Sequence, residues 1–546
     1  MAERKLATFT LDGKTVSLPE GTPVIEAAKQ AGLEIPHYCY HPALGNPGQC
    51  RLCMVEVEGM PKLQVSCRLP AKDGLVVRSN SQNARKAQAS SMEFHLANHP
   101  LDCPVCDQAG ECYLQDYYMR YGLYTSTVRE DKAHKHKRVD IGEHVMLDSE
   151  RCILCTRCVR FLDQVTGTGE LGVFNRGCKS ELAPYPGKRV DNAYSGNIID
   201  VCPVGALTDK DFRFNVRVWY LDRTPSVCTG CARGCSIEVH SNTKRPWHDE
   251  GRRVNRLKPR VNPEVNGYWI CDEGRYSYEG VDAKTRLRAA SALEAGAPAY
   301  VPSEEAAGRV GAQLRELCAQ RGPEGLAVVL SGTLSNEDLF AARRLFVDVL
   351  EAGHVLVRPG PDQLGEEDRI LRRREKVPNH KGAELLGFGS KVRESSWDDI
   401  RGALGAGKLW GLYVIDRDPI AVWGAEASRH LGELPFSVYQ GVHANKFMGL
   451  ARWVLPSTSW TEEDATYTNF QGHVQRARAA VPPLGESRPD WAVFLDILGA
   501  VAPGESLAAA SAQELFALLS KEGPFAGLSW ESLGDNGARI REAQPA

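Results

Sequence analysis

Sixteen of the chain's 17 cysteines fall between Cys39 and Cys271; the last is Cys318, and residues 319–546 contain none. Disulfide scaffolds are small, secreted, and spread their cysteines through the fold. This chain has 546 residues and opens without the apolar core of a secretory signal. We therefore expect a reducing compartment, where clustered thiols are metal ligands. Lys+Arg number 66 against 69 Asp+Glu, a net charge of −3. No strong field then favours nucleic acid or an anionic membrane surface. No apolar run approaches the length of a transmembrane helix.

The length predicts several domains. Ala7–Leu11 and Thr15–Leu18 form an expected hairpin around Asp12-Gly13. Pro23 precedes a helical run, Val24–Ala31, that Gly32 closes. Residues 81–120 are helical in character. The connector 121–145 carries a basic run, Lys132 to Arg138, expected as a solvated loop or partner-facing surface. Residues 146–217 read as loops and short helices, and a small cysteine-rich unit runs from about 221 to 277. Beyond it Ala327–Ser331, His354–Val357, Leu409–Ile415 and Phe436–Gln440 are strand candidates between helical patterns. Ser335 to Asp338 has the pattern of a capping box before a helix over Leu339–Leu350. The alternation predicts a doubly wound α/β domain, with a plain helix over the Ala-rich stretch 507–519.

Four ligand sets follow from spacing. Cys39, Cys50, Cys53 and Cys67 give C-x10-C-x2-C-x13-C. Three of them lie on one loop with Gly45 and Gly48, and the fourth follows a strand expected over Lys62–Ser66. A binuclear cluster takes four thiolates; zinc sites usually pair two close C-x2-C units, and here there is one. The second set, Cys103, Cys106 and Cys112, lacks a fourth thiolate. His99, beside Pro100, is the expected fourth donor; His95, one turn earlier, is assigned to packing. The third set is Cys152, Cys155 and Cys158, then Cys202-Pro203 much later. Two-cluster ferredoxins use C-x2-C-x2-C-x3-C-P twice, each fourth cysteine serving the other cluster. Leu162 stands where the first half's crossing cysteine would be, and Asn192, Ser195 and Ile198 where the second triple would be. The two remnants complement each other and hold one [4Fe–4S] cluster. Cys228, Cys231, Cys235 and the remote Cys271 suit another cubane, with zinc as the alternative. Cys178 and Cys318 read as small buried hydrophobes. A row of clusters carries electrons and requires no catalytic residue in the chain; we assign none.

At these motifs the chain resembles the family of large iron–sulfur subunits of NADH:quinone oxidoreductase, the proton-translocating NADH dehydrogenase of the respiratory chain, complex I. The resemblance rests on Pro36 to Cys39, Gly48 to Cys53, His99-Pro100, Cys112 to Asp116, Arg151 to Phe161, Gly196-Asn197 and Cys202 to Thr208. It implies a mixed α+β and α/β multidomain chain. Residues 1–82 would be a β-grasp [2Fe–2S] ferredoxin domain, 83–122 a helical one-histidine, three-cysteine [4Fe–4S] segment, and 123–220 a ferredoxin-like [4Fe–4S] domain. Residues 221–277 would be a molybdopterin-oxidoreductase-type [4Fe–4S] domain. Residues 278–546 would be a truncated α/β body of that type without a metal ligand, its best match running from Trp453 to Trp491.

The implied cofactors are one [2Fe–2S] and three [4Fe–4S] clusters, without molybdopterin. FMN and NADH would belong to a partner; no Gly-rich dinucleotide fingerprint follows a strand here. The implied electron order runs from that flavin-bearing partner through the Cys39 set, the Cys152 set and the His99 set to a ferredoxin-like partner toward quinone. The Cys228 set lies off the line. The implied location is the cytoplasmic side of the inner membrane, in the peripheral arm, with membrane contact only through the complex.

Three other readings share parts of the pattern. A molybdopterin enzyme such as formate dehydrogenase would draw Cys, selenocysteine or Ser from its body and often place Lys soon after the last cluster cysteine. Here Cys318 sits in the helical run Leu314–Gln320, and Asp272-Glu273-Gly274 follows Cys271. An iron-only hydrogenase would need a further cysteine-rich domain. The relay subunit of an NAD-linked hydrogenase or formate dehydrogenase complex shares the role and stays open.

Overall fold

A computed structural model describes residues 5–540 except 391, 393, 506 and 522. The chain forms two compact units that meet in sequence at Tyr220 and Leu221.

The first unit opens with a five-stranded mixed sheet. Its order is Lys14–Pro19, Leu6–Leu11, Val76–Arg78, Met54–Val57, Gln64–Val65. The hairpin turns at Asp12 and Gly13, both at positive φ, as a type I′ turn requires. Alternate residues Ala7, Phe9 and Leu11 face inward with Val16, Leu18 and Val24. The expected helix at Val24 begins as a single 3-10 turn, Val24–Glu26, before Ala27–Ala31, and Gly32 ends it in the left-handed region. Ser81 caps the next helix, Gln82–Leu96, accepting from Ala84 N–H. Its buried Gln88 donates to the carbonyls of Met54 and Ser79, pinning helix to sheet. Tyr113–Tyr121, Arg157–Phe161 and Asn197–Val201 are the other α-helices, with a small sheet of Leu207–Asp209, Val145–Leu147 and Val139–Asp140.

The second unit begins with the antiparallel strands Asp222–Val227, Ser236–Ser241 and Val254–Pro259. A seven-stranded sheet follows. Five strands run parallel in the order His354–Leu356, Leu326–Val329, Gly411–Ile415, Phe436–Gly441, Trp453–Pro456. The antiparallel pair Ala290–Glu294 and Ala297–Val301 extends one edge. Gly411–Ile415 and Phe436–Gly441 are buried at every position, as parallel strands covered on both faces must be. Ser303–Arg321, Asn336–Ala342 and Asp490–Val501 share one core with the sheet; Trp397–Gly405 and Pro419–Trp423 share the other. The mixed α/β body is thus the doubly wound arrangement that the strand–helix alternation predicts. Among the described residues no helix is long and apolar enough to cross a membrane.

Two expectations need correction. Cys178 is exposed, in a one-turn 3-10 helix, and Cys318 is only half buried, against the core from its helix. The helix at the Ala-rich stretch starts at Ala512, because the Ser511 side chain caps it there. The basic run is a largely exposed loop, as expected, with His134 and His136 open to solvent, but its lysines are tied down. Lys132 donates to the carbonyls of Leu96 and Ala97, and Lys137 pairs with Asp102 and Glu150.

Candidate metal centres

In the first set, Cys39, Cys53 and Cys67 are wholly buried and Cys50 nearly so. The Cys39 thiol lies beside that of Cys50, and that of Cys53 beside Cys67, all four being free thiols. Asn46 Nδ2 donates to Cys67 O at 2.5 Å, tying the ligand loop to the returning strand.

His99, Cys103, Cys106 and Cys112 line one small cavity with Asp102, Arg151 and Gly205. His99 Nδ1 is buried with no hydrogen-bond partner among the described residues. Burial, then the Arg151 charge, lowers the His99 pKa to about 4, so the ring is neutral, the form that ligates metal. His95 differs: its Nδ1 donates to Ser91 O at 2.7 Å, and its ring lies 4.9 Å from that of Tyr38. Arg151 donates to Asp102 from Nε and Nη2 at 3.2 and 3.0 Å. Lys137 and Arg151 hold the Asp102 carboxyl below its usual range. Gly205 is where only glycine fits, since a Cβ there would lie 2.3 Å from Cys106 Sγ.

Cys152, Cys155, Cys158 and Cys202 face a second small cavity whose walls are otherwise mostly apolar, among them Ile153, Leu182, Val204 and Leu207. Leu154 and Thr156 sit at positive φ between the cysteines, and Leu154 N–H donates to Cys152 Sγ at 3.4 Å. Burial pushes the Cys152 and Cys202 thiols up to about 12 and Cys112 up to about 11. Bare thiolates are therefore disfavoured in these pockets, and a bound cation must displace the protons.

In the second unit Cys228, Cys231, Cys235 and Cys271 are all buried. Burial first, and then the neighbouring thiols of the set, raise the titration of Cys228 and Cys235. A Cβ at Gly274 would lie 2.8 Å from Cys228 Sγ.

Each of the four sets predicted from spacing is brought together. Among the described residues no group of three or more His, Cys, Asp or Glu side chains is placed to hold one metal ion. A cluster, with sulfide and several irons between its ligands, is wider than one ion. The donor chemistry, the orphaned His99 nitrogen and the glycines beside sulfur fit such clusters.

Spacing did not reveal what joins the sets. Cys39, Cys50, Cys112 and Cys155 belong to one buried cluster with Tyr38, Leu52, Met92, Leu114, Tyr117, Val204 and Ala206. Arg160 donates to the carbonyls of Cys39 and Cys155, and Arg157 to those of Tyr40 and Val201. Gln49 Nε2 donates to Leu154 O at 2.6 Å. Both arginines lie in the sequence Cys155-Thr-Arg-Cys-Val-Arg160; their positions beside Cys158 were the available signal.

Comparison with known proteins matches residues 4–82 to a 2Fe-2S iron-sulfur cluster binding domain and 88–127 to the NADH-ubiquinone oxidoreductase-G iron-sulfur binding region. Residues 142–208 match the ferredoxin-like domain of NADH-quinone oxidoreductase subunit 3. Residues 221–283 match the molybdopterin oxidoreductase Fe4S4 domain, and 398–500 molybdopterin oxidoreductase. The G subunit of NADH-quinone oxidoreductase from Rickettsia felis is 30% identical over 90% of this chain and 87% of its own length. The mitochondrial NADH-ubiquinone oxidoreductase 78 kDa subunit of Candida albicans is 31% identical over 89% of this chain and 81% of its own. A chain in the crystal structure of an NAD+-reducing [NiFe]-hydrogenase is 36% identical, with a TM-score of 0.35, covering 39% of this chain and 91% of that one.

Proposed function

The chain belongs to the family of NADH-quinone oxidoreductase G subunits, and from that premise we propose where its clusters sit and in what order they serve. It is an iron–sulfur electron-relay subunit of that enzyme. Cys39, Cys50, Cys53 and Cys67 hold a [2Fe–2S] cluster. His99 with Cys103, Cys106 and Cys112 holds a [4Fe–4S] cluster, as do Cys152, Cys155, Cys158 and Cys202, and Cys228, Cys231, Cys235 and Cys271. When bound, each cluster takes up and passes on one electron at a potential set by its surroundings.

The observation that carries this reading is the single buried core to which Cys39, Cys50, Cys112 and Cys155 all contribute. Its apolar and aromatic side chains exclude water between the sets. Arg157 and Arg160 hold the Cys39 loop against the helix after Cys155 and place two positive charges between them. Electrons enter at the Cys39 set from a flavin-bearing, NADH-oxidising partner, pass to the Cys152 set and leave from the His99 set. The Cys228 set, in the second unit, stands off this line.

Around the His99 set Phe94, Leu101, Leu123 and Tyr124 are exposed, largely apolar side chains. Such a surface suits the docking of the next, ferredoxin-like carrier toward quinone. The chain sits in the peripheral arm on the cytoplasmic side and meets the membrane only through its complex. NADH and FMN bind to the partner, and no molybdopterin is held.

Metal analysis with electron paramagnetic resonance on the anaerobically purified chain tests the assignment. Two irons from the binuclear set and four from each of three cubanes give about 14 per chain, with no molybdenum. Stoichiometric zinc, or iron near ten, removes one cubane from the account.

A further inference from the structure

Ser66 precedes the ligand Cys67 in the chain and stands opposite the ligand Cys53 in the sheet. Met54–Val57 and Gln64–Val65 run antiparallel, with Val55 opposite Gln64 and Met54 opposite Val65. The ladder continues one step further, since Ser66 N–H donates to Cys53 O at 3.0 Å. Residues opposite each other in an antiparallel pair point their side chains to one face, with Cβ atoms about 4.5–5.5 Å apart. The Ser66 hydroxyl accordingly lies beside the Cys53 thiol.

The residue is wholly buried, as are Cys53 and Cys67. Its main chain is engaged on both sides, the N–H by Cys53 O and the carbonyl by Ile25 N–H at 3.2 Å. The two cysteines belong to an apolar core with Ala27, Ala28, Val55 and Leu69. In this setting Ser66 Oγ makes no hydrogen bond with any described residue. A buried hydroxyl without a partner costs free energy, and alanine would fill nearly the same space without that cost. Packing therefore does not account for a serine here.

What the hydroxyl lacks is an acceptor, and metal binding creates one. Once metal has displaced its proton, Cys53 Sγ is an anion, and a hydroxyl beside it gains a charge-assisted hydrogen bond. Other sulfurs of the set draw on the main chain. The N–H groups of Gly48, Gln49 and Cys50 serve Cys39, and that of Leu52 serves Cys50. Those donors belong to the backbone that shapes the loop, whereas the Ser66 hydroxyl can be deleted by one substitution that leaves the backbone alone.

We propose that the Ser66 hydroxyl donates a hydrogen bond to Cys53 Sγ in the loaded protein and so raises the reduction potential of the Cys39 set. The inference rests on the [2Fe–2S] assignment made above. Reduction adds a negative charge, so a donor to a ligand sulfur favours the reduced form. Ser66 thereby makes the entry set a readier acceptor of electrons. Redox titration of the anaerobically purified full chain, followed by electron paramagnetic resonance of the binuclear signal, tests it. Ser66→Ala should keep the signal while its one-electron equilibrium moves about tenfold toward the oxidised form, a fall of about 59 mV. Ser66→Thr, which keeps the hydroxyl, should stay near the wild-type potential. An unmoved potential in Ser66→Ala overturns the proposal. Should Ser66→Ala fail to hold the cluster, retention at the wild-type potential in Ser66→Thr still assigns the hydroxyl, and loss in both variants overturns it in favour of packing. A wild-type chain without a binuclear signal fails earlier, at the assignment of the set, and takes this inference with it.

Discussion

Arg160, on the helix that follows Cys155, donates from Nη2 to the main-chain carbonyl of Cys39, 121 residues earlier in the chain. The same guanidinium reaches Leu44 O at 2.5 Å, Gly45 O at 3.3 Å and Cys155 O at 3.5 Å. One side chain thus fixes the loop of Cys39 against the loop of Cys155 and sets a positive charge beside both.

Arg160→Met leaves buried carbonyls without a donor, which costs roughly 1–3 kcal/mol. It also removes a charge that favours the reduced, more negative form of each neighbouring cluster. Redox titration followed by electron paramagnetic resonance should show both potentials falling, by roughly 50–100 mV for a unit charge at about 10 Å in a medium of effective dielectric about 20. Arg160→Lys should recover much of the potential, since it restores the charge, but less of the stability. Potentials unmoved in Arg160→Met would assign the arginine to packing alone.

Gly205→Ala puts a methyl group 2.3 Å from Cys106 Sγ. We expect the signal of the His99 set to be lost or shifted while the other three persist, with up to about four irons fewer per chain. An unaltered spectrum and iron count would mean that the Cys202 to Gly205 turn yields easily.

Glu462 takes Arg253 Nη2 on one oxygen and Arg286 Nη2 on the other, both at 2.7 Å, and the side chains of Arg286 and Glu462 are fully buried. Breaking a buried pair from one side strands its partner. Glu462→Gln should lower the stability of the second unit by about 3–5 kcal/mol in urea unfolding. A loss under about 1 kcal/mol would place these charges in contact with water.

His240 gives a pH signature. Arg256 Nε donates to His240 Nδ1 at 3.1 Å, so that nitrogen carries no proton. Burial lowers the ring's pKa to about 4 from 6.5. Above about pH 6.5 the ring is neutral whether folded or unfolded and contributes nothing. Between about 6.5 and 4 only the unfolded chain takes up the proton, so stability falls as pH falls. At pH 5 the loss is on the order of 2 kcal/mol. His240→Gln should flatten this part of the profile of urea midpoint against pH; equal slopes in the two proteins would contradict it.

That these cysteines come together was legible because cluster chemistry constrains residue type and spacing, and Cys202, 44 residues from Cys158, could be paired by counting through a lost repeat. The same held for the body: Ser335 and Asp338 do form a capping box. The helix starts at Asn336 rather than Leu339 because the box occupies its first turn. What escaped was tertiary. Cys178 looks apolar in composition but falls in an exposed turn. The lysines from Lys132 to Lys137 look like a solvated run, yet three of them meet carbonyls or carboxylates from distant parts of the chain. Nothing in the sequence marks Gly205 as touching Cys106, since that contact depends on how two ligand loops meet.

The most direct test of the relay compares His99→Ala and His95→Ala in the assembled complex. His99 has a buried Nδ1 with no partner among the described residues, whereas His95 Nδ1 is engaged by Ser91. With NADH as donor, His99→Ala should retain reduction of ferricyanide at the entry side but lose reduction of quinone together with the signal of its cubane, and His95→Ala should lose neither. Quinone reduction at the wild-type rate in a His99→Ala complex shown to lack that cluster would contradict the account.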